Sequence, residues 1–393
     1  MSEKGISVRE FIRTTRMLEW SVRYPKPTVQ PRTKKWFDAA RRKCISTKEV
    51  VDKNSINHNA PRRSIDTMCP GRKSKGVSDT MGVVREVVQE VSLSGFYDVT
   101  CELGRGTYGT VYRGTEKSSG NDVAIKEIRS KRRGVGSGGA KLEASIMSQL
   151  QDCPSVVGMR TFIDDDLVAG GPKAKTSYIV MDLCGGGDLQ DFIAAHSPLR
   201  EDQVVAIVTE VVGVLKQCHL HKILHGDVKA ANFVIDSTTS RRLLRSNPSL
   251  LQTGWLKAID FGTCRHIGVG HVSQALGTPT HWSPEVFCKR ASTPADMWSL
   301  GTLAYSLLAG RHPFWSAEEE GSMRTTTDLL RAILSRSPDF DDPALKSCSQ
   351  TGVDFLQRLL VKDGSLRMSV EDAARHPWLS TDSSNLVPVH PPL

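Results

Sequence analysis

The sequence predicts an α+β protein in which a small sheet-bearing lobe precedes a larger helical one. Three observations carry this. Between residues 96 and 128, short apolar-rich segments separated by glycine turns read as strands. From residue 203 onward, apolar residues recur at helical spacing. Strands first and helices afterwards separate the two kinds of element in space.

The elements follow in order. F-Y-D-V-T-C-E-L-G (96–104), T-V-Y-R-G-T (110–115) and N-D-V-A-I-K-E-I (121–128) are the opening strands. A-K-L-E-A-S-I-M-S-Q-L (140–150) places apolar residues at 142, 146, 147 and 150, one face of a helix. T-S-Y-I-V-M-D-L (176–183) is another strand, and Q-V-V-A-I-V-T-E-V-V-G-V-L-K-Q-C-H (203–219) a long, largely buried helix. Further helices are expected at 294–309, 325–334, 350–361 and 370–375. Two stretches, 164–175 and 237–254, read as inserted surface loops. Residues 1–90 are basic and broken by Pro25, Pro27, Pro31, Pro61 and Pro70; within them V-V-R-E-V-V-Q-E-V (83–91) suits a short helix or strand leading in. No internal repeat is visible.

A chain of 393 residues accommodates two or three modest domains, or one two-lobed domain with an extension. Its apolar share of 39% and charged share of 24% are those of an ordinary globular protein. The net charge of +9 is unevenly placed: residues 1–95 hold 20 Lys/Arg against 10 Asp/Glu, and the remaining 298 hold 32 against 33. The basic balance therefore belongs to a tail, read as a solvated arm rather than a nucleic-acid grip. That tail has aromatics at Phe11, Trp20, Tyr24, Trp36 and Phe37 but no recognisable nucleic-acid module. Nine cysteines without a C-x-x-C pair suit a reducing compartment. No apolar run reaches 18 residues, so no membrane span is expected. The N-terminus has no secretory apolar region, and Ser2 offers no myristoylation glycine. Glu3, Glu10 and Glu19 speak against a transit peptide, so a cytoplasmic or nuclear location is the expectation, with an organellar address left open.

The chemistry is concentrated in H-G-D-V-K-A-A-N (225–232) and D-F-G (260–262). Phosphoryl transfer needs one carboxylate to orient a hydroxyl, and an amide plus a second carboxylate to hold magnesium. Asp227, Asn232 and Asp260 supply these types at suitable offsets, with Lys229 between them. Upstream, L-G-R-G-T-Y-G-T-V (103–111) places glycines at 104, 106 and 109, where backbone N–H groups can approach phosphate oxygens. That signal is weak alone, and a second match, G-V-G-S-G-G (134–139), has Asp152 downstream as a dinucleotide site would want. R-S-K-R-R separates the second match from its strand and the βα alternation does not continue, so it reads as a flexible linker. Lys126 closes a strand fifteen residues after Val111, and Glu143 follows seventeen residues later on the expected helix. An isolated lysine or glutamate there would be a solvated surface charge; together they form an ion pair that aims Lys126 at phosphates.

These motifs, with Y-I-V-M-D-L-C-G-G-G-D-L (178–189), G-T-P-T-H-W-S-P-E (277–285), D-M-W-S-L-G (296–301), L-L-A-G-R-H-P-F-W (307–315) and A-A-R-H-P-W-L (373–379), resemble the eukaryotic protein kinases. The match is most similar to the calcium/calmodulin- and calcium-dependent serine/threonine kinases and covers residues 96–380. It implies a bilobal fold: an antiparallel-sheet N-lobe with one main helix (96–183), a helical C-lobe (184–380), a basic extension (1–95) and a short tail (381–393). It also implies ATP and Mg²⁺ as cofactors and protein serine or threonine hydroxyls as acceptors. Carried over residue by residue, Asp227 orients the acceptor hydroxyl, Lys229 neutralises the transferring phosphoryl group, and Asn232 and Asp260 hold magnesium. Lys126 and Glu143 complete the catalytic set. Leu103, Gly104, Arg105, Gly106 and Gly109 form the phosphate loop. Val111 and Ala124 lie above the adenine and Val234 below it; Met181 is the gatekeeper, Asp182 and Cys184 the hinge, and Asp188 the acid beyond it. Glu285 with Arg367, and Asp296, are structural. Thr278 marks the serine/threonine type.

Several positions depart from the pattern. Gly226 replaces the arginine whose charge loop phosphate helps to neutralise in other members, so the resemblance implies activity without activation-segment phosphorylation, with Thr263, Ser273 and Thr280 the sites to test. S-P-E (283–285) stands for A-P-E. Ala231 occupies a position where relatives selecting basic peptides carry glutamate, which weakens selection for arginine upstream of the hydroxyl. The sequence closes about fourteen residues after Trp378-Leu379 and has no D-x-[DN]-x-[DN]-G loop, so calcium is not expected to bind in cis. Cys264 reads as a buried inert thiol rather than a redox switch. The alternative to an active enzyme is a nucleotide-binding pseudokinase or scaffold, which would need a missing catalytic part.

Overall fold

The computed structural model describes residues 92–129, 137–164, 176–268, 270–321, 323 and 325–380. The expectations for the basic extension, the 83–91 segment, most of the 164–175 insertion and the tail lie outside these residues. A five-stranded antiparallel sheet opens the described structure: β1 (Tyr97–Gly106), β2 (Gly109–Glu116), β3 (Asp122–Arg129), β4 (Met159–Asp164) and β5 (Thr176–Asp182), in the order β1-β2-β3-β5-β4. Alternation along the strands divides its residues between two faces. Tyr97, Val123, Ile125, Ile163 and Val180 form a core on one face, with Leu93 and Tyr178 packed against it. On the other, cross-strand register aligns Val111 with Lys126 and Ala124 with Met181. The expected ceiling of the nucleotide pocket thus shares one face with the expected phosphate lysine.

Helix α1 (Ser137–Gln149) packs on β4 and β5, and Ile146 and Met147 on its expected apolar face are buried. Its first residues, 137–139, belong to the second glycine match, so the end of that stretch is helical rather than linker. β6 (Gly187–Asp188) and α2 (Leu189–His196) lead into the helical lobe. At its centre lie α3 (Glu201–Leu220) and α5 (Thr293–Ala309), with the catalytic-loop strands β7 (Ile223–Leu224), β8 (Phe233–Ile235), β9 (Leu256–Ala258) and β10 (Arg265–His266) above them. Between β8 and β9 lies α4 (Thr238–Ser246); α6 (Thr326–Ser335), α7 (Gln350–Leu359) and α8 (Val370–Ala374) complete the lobe. By length and composition α3 could cross a membrane, yet its apolar face is the core: Val204, Ile207, Val208, Val211, Val214 and Leu215 are fully buried.

A second expectation is corrected. The 237–254 insertion is not a plain surface loop, because its first half is α4 and Pro248–Leu250 forms a short 3₁₀ turn. Ser237 caps the helix by accepting a hydrogen bond from the Ser240 N–H at 3.1 Å. Leu244 is completely buried, and its carbonyl accepts from Gln203 Nε2 of α3 at 3.0 Å. Burial of one leucine against α3 is what turns a polar stretch into a docked helix.

Candidate active site

β3 presents Lys126 from the open face of the sheet, and α1 brings Glu143 to it. Lys126 Nζ lies 2.5 Å from Glu143 Oε1 and 2.8 Å from Asp260 Oδ1. Lys126 and Glu143 are both buried, while the Asp260 side chain keeps 29% of its surface exposed. Burial works against the Lys126 charge, but two flanking carboxylates outweigh it and hold the ammonium above the ordinary lysine value. Glu143, deeper and also facing Asp260, is pushed up by burial despite its lysine partner. Asp260 goes the other way: burial raises it, and Lys126 with the Gly262 N–H (3.1 Å) brings it below the usual carboxylate range.

The 225–232 loop carries a second cluster. Asp227 Oδ2 is 2.9 Å from Lys229 Nζ and accepts from Asn232 Nδ2 at 3.0 Å; Oδ1 accepts the Thr278 N–H at 2.8 Å. Lys229 Nζ also donates to Thr278 Oγ1 at 2.6 Å. Burial pushes Asp227 up, but Lys229, Thr278 and Asn232 together hold it below its ordinary value, so it is ionised. Sequence reasoning read Thr278 only as a marker of kinase type; the geometry makes it the group that closes the triangle with Asp227 and Lys229.

Asp296 at the start of α5 braces this loop from below. Its carboxylate accepts the N–H groups of His225 (2.9 Å) and Gly226 (2.8 Å) and a bond from His219 Nε2 (2.9 Å). The expected Glu285–Arg367 pair is present at 2.6 Å, with Arg367 lying over the Trp298 ring at 5.1 Å. Gly226 adopts φ +77°, and a side chain at Gly277 would collide with the Gly226 carbonyl oxygen. Two glycines therefore let the activation segment press directly on the catalytic loop. Thr263 is buried and donates to the His225 carbonyl at 2.9 Å, and Cys264 is fully buried, its thiol pushed well above the ordinary value by burial.

The activation segment rests on apolar contacts. Ile267, Val272, Ala275 and Trp282 pack on a buried cluster of Leu224, Val286, Ala291 and Ala295. Val272 and Ala291 also exchange backbone hydrogen bonds at 2.7 and 3.2 Å. Arg265 turns inward on its own turn, donating to the carbonyls of Gly262 and Cys264.

The residues expected to hold nucleotide and metal fit that role. A Cβ placed on Gly104 or Gly106 would meet no atom within 4 Å, so that part of the loop borders open space, whereas one on Gly109 would run into the Glu127 carbonyl. Leu103 is half-exposed at its start, and the Arg105 side chain pairs with Glu102 at 2.8 Å. The Tyr108 ring folds beneath the loop tip, so close that a methyl on Gly262 would stand 3.0 Å from it. Val234 is half-buried between fully buried Phe233 and Ile235, and so lies on the opposite side of β8. Asp182 pairs with Arg160 at 2.8 Å; burial pushes the Cys184 thiol up to about 11. Asp188 caps α2, accepting the Gln190 N–H at 2.6 Å. Asn232 commits its amide nitrogen to Asp227, so its amide oxygen is the atom that would be offered to a cation. Among the described residues no cluster of His, Cys, Asp and Glu would hold a metal alone. Two protein oxygens completed by nucleotide phosphates is the arrangement magnesium favours.

Comparison with known proteins agrees with this geometry. A family model described as "Protein kinase domain" matches residues 97–379. Calcium-dependent protein kinase 9 of Arabidopsis thaliana is 30% identical over 337 residues, covering 85% of this chain and 57% of its own length. CDPK-related kinase 3 of the same plant is 32% identical over 327 residues, covering 82% and 48%. The chain thus spans about half the length of the curated relatives it matches. Among solved structures, the autoinhibited serine kinase domain of the giant muscle protein titin superposes with a TM-score of 0.59 at 28% identity, covering 75% of this chain and 83% of that one. With the sheet lobe, the helical lobe and both charged clusters in place, the chain belongs to the protein kinase family and is similar to its calcium-dependent serine/threonine members.

Proposed function

We propose that this chain transfers the γ-phosphate of ATP to serine and threonine hydroxyls of protein substrates, and does so without phosphate on its activation segment. The observation that carries the reading is Lys126 bridging Glu143 and Asp260, which joins the sheet lobe, α1 and the D-F-G segment in one charged cluster. Lys126, held protonated, grips the nucleotide phosphates. Asn232 and Asp260 would hold magnesium, which when bound would supply positive charge against the phosphates. Asp227 is ionised and accepts the proton of the incoming hydroxyl as the oxygen attacks. Lys229, already drawn to Asp227 and Thr278, stabilises the phosphoryl oxygens.

Two observations support independence from phosphorylation. Gly226 removes the cation that a loop phosphate would neutralise, and Ile267, Val272, Ala275 and Trp282 hold the segment by apolar packing instead. Thr263 is a poor test site because its hydroxyl is buried in a structural bond. Ser273 is exposed and serves better. The experiment is phosphotransfer from magnesium-ATP to a serine/threonine peptide library by wild type, Lys126→Met and Asp227→Asn. Incorporation by wild type alone is expected; equal incorporation by all three sinks the assignment. Phosphatase-treated protein and Ser273→Ala should retain full activity, and loss of activity in both would refute the regulatory half of the proposal.

A further inference from the structure

The 237–254 insertion is tied at its two ends to two separate places, α3 and the turn that follows Cys184. At its far end, the Gly254 N–H donates to both oxygens of buried Glu210 on α3, at 3.1 and 3.0 Å. Glu210 also accepts from the Ser155 hydroxyl, in the loop that follows the Glu143 helix. At its near end, α4 projects Arg241 toward the hinge. Arg241 Nη1 donates to the Gly186 carbonyl at 3.0 Å, and its guanidinium lies 5.3 Å from the centre of the Phe192 ring on α2.

The hinge turn is thereby held from both sides. The Gly185 N–H donates to the Asp236 carbonyl at 2.7 Å and the Gly186 N–H to the Ile235 carbonyl at 3.0 Å, so the end of β8 and the residue after it secure the N–H side of the turn. The carbonyl side of Gly186 is secured by Arg241. Glycine backbone is the most permissive in the chain, and three in succession (Gly185, Gly186, Gly187) have no side chain to fix the turn. Asp188 follows directly and pairs with Val234, the expected pocket floor. Burial pushes the Asp188 carboxyl above its ordinary value; the N–H groups of Gln190 and Asp191 and the Arg241 charge oppose that rise.

We propose that Arg241 is a positioning residue for nucleotide binding: through the Gly186 carbonyl it fixes the turn that runs from Cys184 to Asp188. The insertion is then a brace for the cleft rather than a surface ornament. This rests on the reading that ATP occupies that cleft. A guanidinium that only fastens α4 to the lobe would affect stability alone. One that holds the hinge affects the apparent affinity for ATP and leaves the chemical step, at Asp227, nearly untouched.

The test is steady-state phosphotransfer by the full chain, with ATP varied at saturating peptide. Arg241→Ala is expected to raise KM for ATP roughly tenfold with kcat within about twofold, as loss of one charge-assisted hydrogen bond predicts. Arg241→Lys keeps a donor and a charge and should restore most of the affinity. Arg242→Ala, an exposed neighbour on the same helix, should match wild type. If Arg241→Ala folds poorly, Arg241→Gln is compared with wild type by the rise in Tm that ATP produces, which should shrink in the variant. An unchanged KM and an unchanged ATP-induced rise overturn the proposal, as does an equal KM increase in Arg242→Ala. Wild type that transfers no phosphate to any peptide would instead overturn the functional reading itself.

Discussion

Replacing Gly226 by alanine probes why a glycine precedes Asp227. The residue sits at φ +77°, where an L side chain costs about 1–2 kcal/mol. Space is not the obstacle: the new methyl would stand 3.5 Å from the Thr263 carbonyl oxygen and 3.8 Å from its Cβ, ordinary contact. Alanine also restricts the unfolded chain, which returns about 0.4–1 kcal/mol. The net expectation is a loss of about 1 kcal/mol, or a fall of about 2 °C in Tm for a domain of this size. Urea titration and scanning calorimetry measure it, with Gly104→Ala as the control, since that glycine faces open space and lies outside the left-handed region. Activity reports a second effect. The Gly226 N–H is bound to Asp296 Oδ1 at 2.8 Å, so any rotation that relieves the strain carries neighbouring Asp227 with it, and kcat should fall. Gly226→Arg carries the same backbone penalty while restoring the cation. A Gly226→Ala protein as stable as wild type would refute the reasoning and leave the missing charge as the only reason for the glycine.

The remaining expectations concern charge. Glu285→Ala strands the Arg367 guanidinium, whose side chain is fully buried, and should cost about 3 kcal/mol by urea unfolding; Arg367→Met in the same background should recover part of that. His281 and His312 are pushed down by burial to about 4 and about 3. Their folded values lie below the unfolded value of about 6.5, so the unfolded state binds the extra protons and stability falls as pH drops from about 6.5 toward 4. His312→Gln should flatten that slope, because the ring donates through Nε2 to the Thr280 carbonyl and accepts the Phe314 N–H through Nδ1 only while neutral. For Asp227 and Asp260 the folded value also lies below the unfolded one, near 3.9 for an aspartate. Their stabilisation is complete above about pH 4 and disappears as pH falls through the folded values. Asp227→Asn should therefore lose part of the acid dependence of stability, measured by calorimetry between about pH 2 and 5.

The candidate catalytic residues stood out in the sequence because phosphoryl transfer fixes the residue types it needs and their spacing within short loops. Asp227, Lys229 and Asn232 lie within six residues, whereas the contacts of Lys126 with Glu143 and Asp260 and of Thr278 with Asp227 needed the fold. Strands and long helices were equally readable, since their apolar periodicity is itself the buried face. The insertion was harder to read. A nine-residue segment with three arginines has no stability of its own, and it is helical because Leu244 and Arg241 find α3 and Gly186. Gly226 shows another limit: sequence reveals the missing side chain, while the φ that forbids one is set by contacts to Asp296 and Gly277.

The apolar seat of the activation segment also has a thermal signature. A phosphate held by arginines loosens as salt screens it, whereas burial of Ile267, Val272, Ala275 and Trp282 on Leu224 and Val286 gains nothing from low ionic strength. Hydrophobic stabilisation weakens on cooling instead. Order in this segment should therefore respond little to charge screening and should weaken on cooling.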